Sequence, residues 1–404
     1  MSRQTISASD DRHEAYLRRT YFPELDGVRA LCALLVITAH LYSHKERWVW
    51  LAGDRGVSVF FVLSGFLIMT LALREEQCEG RLSLAAFYVR RCCRLFPLYY
   101  LILGFYCLTL LGLGRGTSDQ CGALAEALPW NLIYCQEIPF FRLLVLDQRD
   151  LPFFQSWSLG IEEKFYLVWP LLAFILWRGR HSLRVRGTVI LTCAVAVVSA
   201  WLAGLGPQER VIGRFLHSFY PILIGCLTAL LLHDRTGFDR LRRMALWGKG
   251  LPGLFLFLTV HFATPWPNGR MREGVHLLYP LATALLLVPL LNGEGPAAQL
   301  LRWRPLQFVG RLSYGVYLLH LLALGITYRL LPAGIRHPVT SLVAFILAAA
   351  LSIAGAWVLS LAVEIPRIRL GRRWSRLLTE RATVRVSIRS AAGSRAGTLP
   401  ARAA

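Results

Sequence analysis

Apolar runs long enough to cross a bilayer recur along almost the whole chain, and no other feature limits its fold as tightly. They lie at about 27–43, 56–73, 95–113, 157–177, 188–205, 211–232, 250–264, 273–291, 308–330 and 339–361. Each approaches the roughly 20 residues that a helix needs to span a 30 Å hydrocarbon core. The seventh, LPGLFLFLTVHFATPW, is short and broken by proline, so it is the weakest. With 55% hydrophobic residues among 404, the composition excludes an ordinary soluble protein. The expected fold is all-α: a polytopic membrane protein of about ten transmembrane helices around a central cavity. The first 26 residues are polar and no small-residue cleavage site follows the first apolar run, so no cleavable signal peptide is expected.

A formal net charge of +21 raises the question of nucleic acid, but its distribution answers otherwise. Lys and Arg crowd into 1–26, 74–94, 178–187, 233–249, 292–311 and 364–404, and thin out in the alternate connections 43–55, 114–155, 206–214, 265–272 and 329–338. That alternation is the positive-inside pattern. It puts both termini in the cytoplasm, in a multi-pass protein of the cell's inner membrane. The expected division is a cytoplasmic segment 1–26, a transmembrane domain 27–363 and a basic cytoplasmic tail 364–404 that is disordered at its end, with Glu364 and Pro366 stopping the last helix. The tail reads as a topology signal that meets anionic membrane lipids, not nucleic acid. Of the nine cysteines, only Cys121 and Cys135 share an outer loop where a disulfide could form, and no spacing suggests a zinc or other metal site.

The first apolar run carries the chemistry. In LDGVRALCALLVITAHLYSH, Arg29 and His40 fall within about 20° of each other on a helical wheel, and Asp26 lies about 40° from His40. Ionisable groups in a span cost roughly 2.5–3.5 kcal/mol each, so this face turns to protein or water. A structural ion pair plus a buried, hydrogen-bonded histidine would explain it; so would a cavity where a reaction occurs. Ser64 and Gly65 in the second run favour close helix packing. Further on, Arg91 and Arg94 project from one side of a helix start, with Arg90 beside them. Topology anchoring accounts for most such clusters, but guanidinium forks at a helix start also suit phosphate. The outer connection 114–155, with Trp130, Asp147, Arg149 and Asp150, is long enough for a lid or an acceptor surface. In SWSLGIEEKFYL, Glu163 and Lys164 can neutralise one another, whereas Glu162 has no such neighbour. In FVGRLSYGVYLLH, Ser313 and His320 share a face, with Tyr317 on the next.

At 1.5 Å per residue, His40, Glu162 and His320 rise about 20, 22 and 18 Å from the inner surface, so separate helices deliver an ionisable group to one level. A histidine there can take the proton from an attacking hydroxyl, and a carboxylate beside it can orient the ring. No GxSxG elbow points to an acyl-enzyme.

Six segments in order, LDGVRALCALLVITAH, GVSVFFVLSGFLI, FYVRRCCRLFPLY, SWSLGIEEKFYL, GRLSYGVYLLH and the closing VEIP, resemble the acyltransferase-3 family of membrane O-acyltransferases across roughly 21–375. The resemblance implies about ten spans, cytoplasmic termini, and transfer of an acyl group, commonly acetyl from acetyl-CoA, to a hydroxyl of a glycan or another glycosylated acceptor. Acyl-CoA is then a donor substrate, with no bound cofactor. Carried across, the family's catalytic histidine falls on His40 and its nearby arginine on Arg29. Its acyl-CoA-linked arginines fall on Arg91 and Arg94, and its glutamate on Glu162. The late motif falls on Ser313, Tyr314 and His320, expected to line the cavity. Many members carry an acidic residue where this chain has Ser58, so that position is given no catalytic role. Some members continue into an extracytoplasmic esterase-like domain; this chain has a short basic tail, so handover to a second domain of its own is not expected. The competing reading is a transporter that moves a glycan or lipid-linked sugar unaltered, though no paired repeat supports it.

Overall fold

In the computed structural model the apolar runs fold as helices, several of which carry a proline in their interior. The structure describes residues 8–41, 51–145, 151–176, 183–203, 215–246, 251–263, 270–293, 295–331 and 338–379, and all regular structure among them is helical. The first half runs α1 (Ala8–Arg18), α2 (Pro23–Ala39), α3 (Arg55–Glu79), α4 (Leu84–Cys107), α5 (Ser118–Leu132), α6 (Glu137–Val145), α7 (Trp157–Leu171) and α8 (Leu183–Ala203). The second runs α9 (Tyr220–His233), α10 (Arg235–Leu246), α11 (Leu251–Ala263), α12 (Arg270–Leu291), α13 (Gly295–Leu301), α14 (Arg304–Arg311), α15 (Ser313–Leu330) and α16 (Pro338–Leu359).

The helices Arg55–Glu79, Leu84–Gly112, Phe215–His233 and Val339–Thr379 are long and apolar enough to cross a membrane. Two bent pairs, Val275–Leu291 with Gly295–Leu301 (85°) and Arg304–Arg311 with Ser313–Leu330 (76°), bring the number among the described residues to six if each pair is one span. This is a multi-pass membrane protein, and among the described residues fewer full-length spans are present than the ten apolar runs. Several runs differ locally. The first run folds as a 17-residue helix, the fourth gives way to a π turn at Leu172–Leu176, and the fifth and seventh yield only the short apolar stretches Val185–Ser199 and Gly253–Phe262.

Three boundaries differ from the sequence reading in ways that matter for the site. α4 starts at Leu84, so Arg91 and Arg94 sit about two to three turns inside it instead of at its mouth. The last helix does not stop at Pro366 but runs on to Thr379. A π turn at Ser360–Glu364 lies just ahead of that proline, and a widened turn accommodates a ring that would clash with the preceding turn of a regular α-helix. The connection 114–155 contains α5 and α6, the first started by a capping box in which Thr117 and Gln120 satisfy each other's backbone N–H groups. Within that connection, Asp147, Arg149 and Asp150 lie outside the described residues, as does the tail 380–404. Cys121 and Cys135 are both free thiols.

Close approach of backbones holds the bundle. A Cβ on Gly65 would strike the Ile222 carbonyl, and one on Gly225 the Val62 carbonyl; α3 and α9 therefore pack backbone to backbone, as the small pair Ser64–Gly65 anticipates. At the start of α2, Gly27 meets the Leu301 carbonyl and Gly310 the Asp26 carbonyl in the same way. Glu24, fully buried, anchors this corner through Arg19 (2.5 and 2.7 Å) and the Nε of Arg302 (2.6 Å). Only the carboxylate is fully buried, so the two arginines together compensate a charge that would otherwise be left alone inside the bundle.

Candidate active site

His40 closes α2 as its C-cap, with φ −104° and ψ 4°. Its Nδ1 donates to the Val36 carbonyl at 2.9 Å. A carbonyl can only accept, so the proton of the neutral ring sits on Nδ1 and Nε2 is the basic nitrogen. His320, on α15, is fully buried and makes the same kind of bond, Nδ1 to the Tyr317 carbonyl at 2.5 Å. Its Nε2 is buried without a hydrogen-bond partner among the described residues. The two rings are 4.9 Å apart, centre to centre, and Phe154 packs on His40 at 5.5 Å. The helical rise thus brings these two histidines to one depth, as expected. Buried nitrogens are seldom left unsatisfied in a folded protein, which marks this pair as a place for a hydrogen-bond donor from outside.

Glu162 lies in a neighbouring cavity of about 90 Å³. Arg29, Arg91, Arg94, Glu162, Ser313 and Tyr314 all line it, so most of the residues singled out from the sequence do converge. Ser64 donates to the carboxylate at 2.9 Å and Tyr166 at 3.3 Å. The ring of Tyr317 also lines the cavity, touches that of His320 at 5.6 Å, and fixes its hydroxyl between Ser158 and the Gln155 carbonyl, 2.8 Å each. His40 and His320 do not line that cavity, but Tyr317 does and it touches His320, so its ring links the two groups. The His40 tautomer is accordingly held by Val36, and Glu162 keeps its own partners.

A second cavity, about 460 Å³, shares Arg29, Ser64, Arg91, Arg94, Tyr166 and Tyr314 with the first. It adds Arg311, Arg372, Tyr21, Asp26 and Glu364. Arg29 pairs with Asp26 at 3.8 Å, and Asp26 also accepts from the Tyr21 hydroxyl. Arg91 lies over the rings of Tyr166 (4.9 Å) and Phe87 (5.7 Å). Neither Arg91 nor Arg94 forms an ion pair among the described residues. Arg90, by contrast, is tied to Glu75 at 2.5 Å and Ser375 at 2.7 Å. Lys164 pairs not with Glu163 but with buried Glu137 at 2.5 Å, and donates to the Tyr134 carbonyl at 2.6 Å. Sequence reasoning missed Ser64 as a partner of Glu162, and Tyr166, Ser158, Arg311 and Arg372 altogether. Only Tyr166 left a local signal, four residues beyond Glu162 on the same helical face.

Fold and site together define a multi-pass helical membrane protein with an arginine-lined internal cavity that includes a half-buried carboxylate. The chain belongs to the acyltransferase-3 family, whose model, described as an acyltransferase domain, matches residues 22–361. YrhL of Bacillus subtilis is 31% identical over 74% of this chain and 48% of its own length. The peptidoglycan O-acetyltransferase OatA of Listeria monocytogenes is 28% identical over 75% and 49%, and the O-acetyltransferase OatA of Staphylococcus aureus 27% over 74% and 50%. The chain therefore spans about half the length of the curated relatives it matches. No solved structure matches it.

Proposed function

We propose that this chain is an O-acetyltransferase of the inner membrane, with cytoplasmic termini, which moves acetyl from cytoplasmic acetyl-CoA to a hydroxyl of a cell-wall glycan. The observation that carries the reading is the pair of connected cavities, which lead from a mouth rich in arginine to Glu162. Guanidinium groups without carboxylate partners are what an anionic donor requires, and the peptidoglycan O-acetyltransferase named among the relatives supports a glycan acceptor. Arg91 and Arg94 hold donor phosphates, and the uncharged pantetheine arm leads the thioester inward. Arg29, Ser313 and Tyr314 shape the cavity wall. His40, with Nε2 basic, takes the proton of the acceptor hydroxyl as its oxygen attacks the thioester carbonyl. The C–S bond breaks, and the departing sulfur recovers that proton from the imidazolium, leaving an ester and free CoA thiol. Glu162 positions acceptor hydroxyls, since Val36 already fixes the His40 ring. His320 completes the polar end of the acceptor site.

The test is transfer of labelled acetyl from acetyl-CoA to peptidoglycan fragments by the protein reconstituted in liposomes. Wild type should form a labelled ester. His40→Ala should lower the rate by about 10²–10⁴-fold with an unchanged thermal melting curve. Full activity in that variant would remove His40 as the base. A wild type that moves glycan across the membrane without forming ester would favour transport instead.

A further inference from the structure

The arginines of the larger cavity fall into two groups. Arg29, Arg91 and Arg94 line both cavities and so stand where they meet; Arg311 and Arg372 line the larger one alone. The latter two come from distant parts of the chain. Arg311 is the last residue of α14, at the 76° bend before α15. Arg372 is carried by the helical extension beyond Pro366, which exists only because the last helix does not stop there. Both are exposed, and neither makes an ion pair among the described residues. Arg372 also borders an outer recess of about 400 Å³ walled by Arg369, Arg373 and Arg376. The only carboxylates in the larger cavity's lining are Asp26, engaged by Tyr21 and Arg29, and Glu364.

A cavity with positive charge in two separate groups matches a ligand with anionic groups at two separate points. Coenzyme A has that form: a diphosphate joined to the pantetheine arm and, beyond it on the ribose, a 3′-phosphate. If the thioester points inward and the diphosphate meets Arg91 and Arg94, the 3′-phosphate is the group left for the second pair. We propose that Arg311 and Arg372 bind the 3′-phosphate of the donor, so that the site selects coenzyme A over carriers lacking that phosphate. This rests on acyl-CoA being the donor, as proposed above. Arg372 thereby gives the extended last helix a task in the reaction, because an end at Pro366 would leave the 3′-phosphate with one arginine.

The experiment compares binding of CoA and 3′-dephospho-CoA to the full chain in nanodiscs of neutral lipid, with Arg311→Gln, Arg372→Gln and the double variant. Wild type should bind CoA at least about tenfold more tightly than 3′-dephospho-CoA, the yield of a charge-assisted hydrogen bond. Each single variant should narrow that ratio and the double variant should abolish it, while affinity for 3′-dephospho-CoA stays constant in all of them. Equal binding of the two nucleotides by wild type would overturn the assignment and leave the donor reading intact. An equal loss of both nucleotides in the variants would also overturn it, by placing these arginines on another part of the ligand or in the scaffold. Binding of neither nucleotide by a correctly melting wild type would defeat the donor reading itself.

Discussion

The mouth of the site and the histidine pair are built on opposite physical plans. The mouth is wide and strongly cationic: a cavity of about 460 Å³ lined by Arg29, Arg91, Arg94, Arg311 and Arg372. The histidine pair is tighter and aromatic: His320 is fully buried, half-buried His40 lies against it and packs on Phe154, and Tyr317 touches the ring of His320. Water-accessible guanidiniums suit recognition of a large anion, where charge and reach matter more than exact placement. Proton transfer asks the reverse, a ring fixed in one tautomer with little water to compete, and the carbonyls of Val36 and Tyr317 hold both imidazoles that way. Under the proposed function, binding falls to the first region and chemistry to the second.

The sharpest way to break that division is to remove charge from the mouth. Arg91→Gln with Arg94→Gln deletes two charge-assisted phosphate contacts, each worth about 1.5–3 kcal/mol. The donor KM should rise by about 100-fold or more while kcat stays within a few fold, in initial-rate assays that vary acetyl-CoA. A fall in kcat at saturating donor would show that these arginines also act on the transition state and that the two regions are not separate.

His320→Phe is the converse, with a smaller effect. The aromatic replacement keeps the packing against Tyr317 and His40 but removes both nitrogens. A group that supports a catalytic histidine without being the base typically contributes about 10–100-fold, so kcat should fall by that much with the donor KM unchanged. His320→Phe at full kcat would leave the unsatisfied Nε2 as a packing accident, with His40 working alone.

Much of this arrangement can be read from helical spacing. Arg91 and Arg94 share a face, Arg29 and His40 share another, and a rise of 1.5 Å per residue puts His40 and His320 level. What spacing cannot supply is the partner from another segment. Lys164 has Glu163 beside it in sequence, yet its ion pair is with Glu137 across the loop, because α6 packs on α7. Ser64 looks like a small packing residue, and Gly65 beside it is one, but the Ser64 hydroxyl turns to Glu162, 98 positions away. Arg372 lay hidden for a different reason. A proline normally ends a helix, and nothing local announces that a π turn carries this one past Pro366.

Ser64→Ala is the mildest test and bears on the boundary between the two regions, since Ser64 lines both cavities and holds the carboxylate nearest Tyr317. Its hydroxyl reaches Oε1 of Glu162 at 2.9 Å, whereas Tyr166 reaches Oε2 at only 3.3 Å, so the serine is the firmer of the two restraints. One hydrogen bond to a charged group contributes about 1.5 kcal/mol at the low end of its range, which is about a tenfold change in this half-exposed setting. If Glu162 positions the acceptor, the loss should fall on the acceptor KM and leave the donor KM alone. The double variant Ser64→Ala, Glu162→Gln decides whether the serine acts through the glutamate: it should be no slower than Glu162→Gln by itself, because the second change removes what the first was supporting. Additive losses would instead give Ser64 a contact of its own with the donor, and would move the boundary between recognition and chemistry inward, past Arg91 and Arg94, to Glu162 itself.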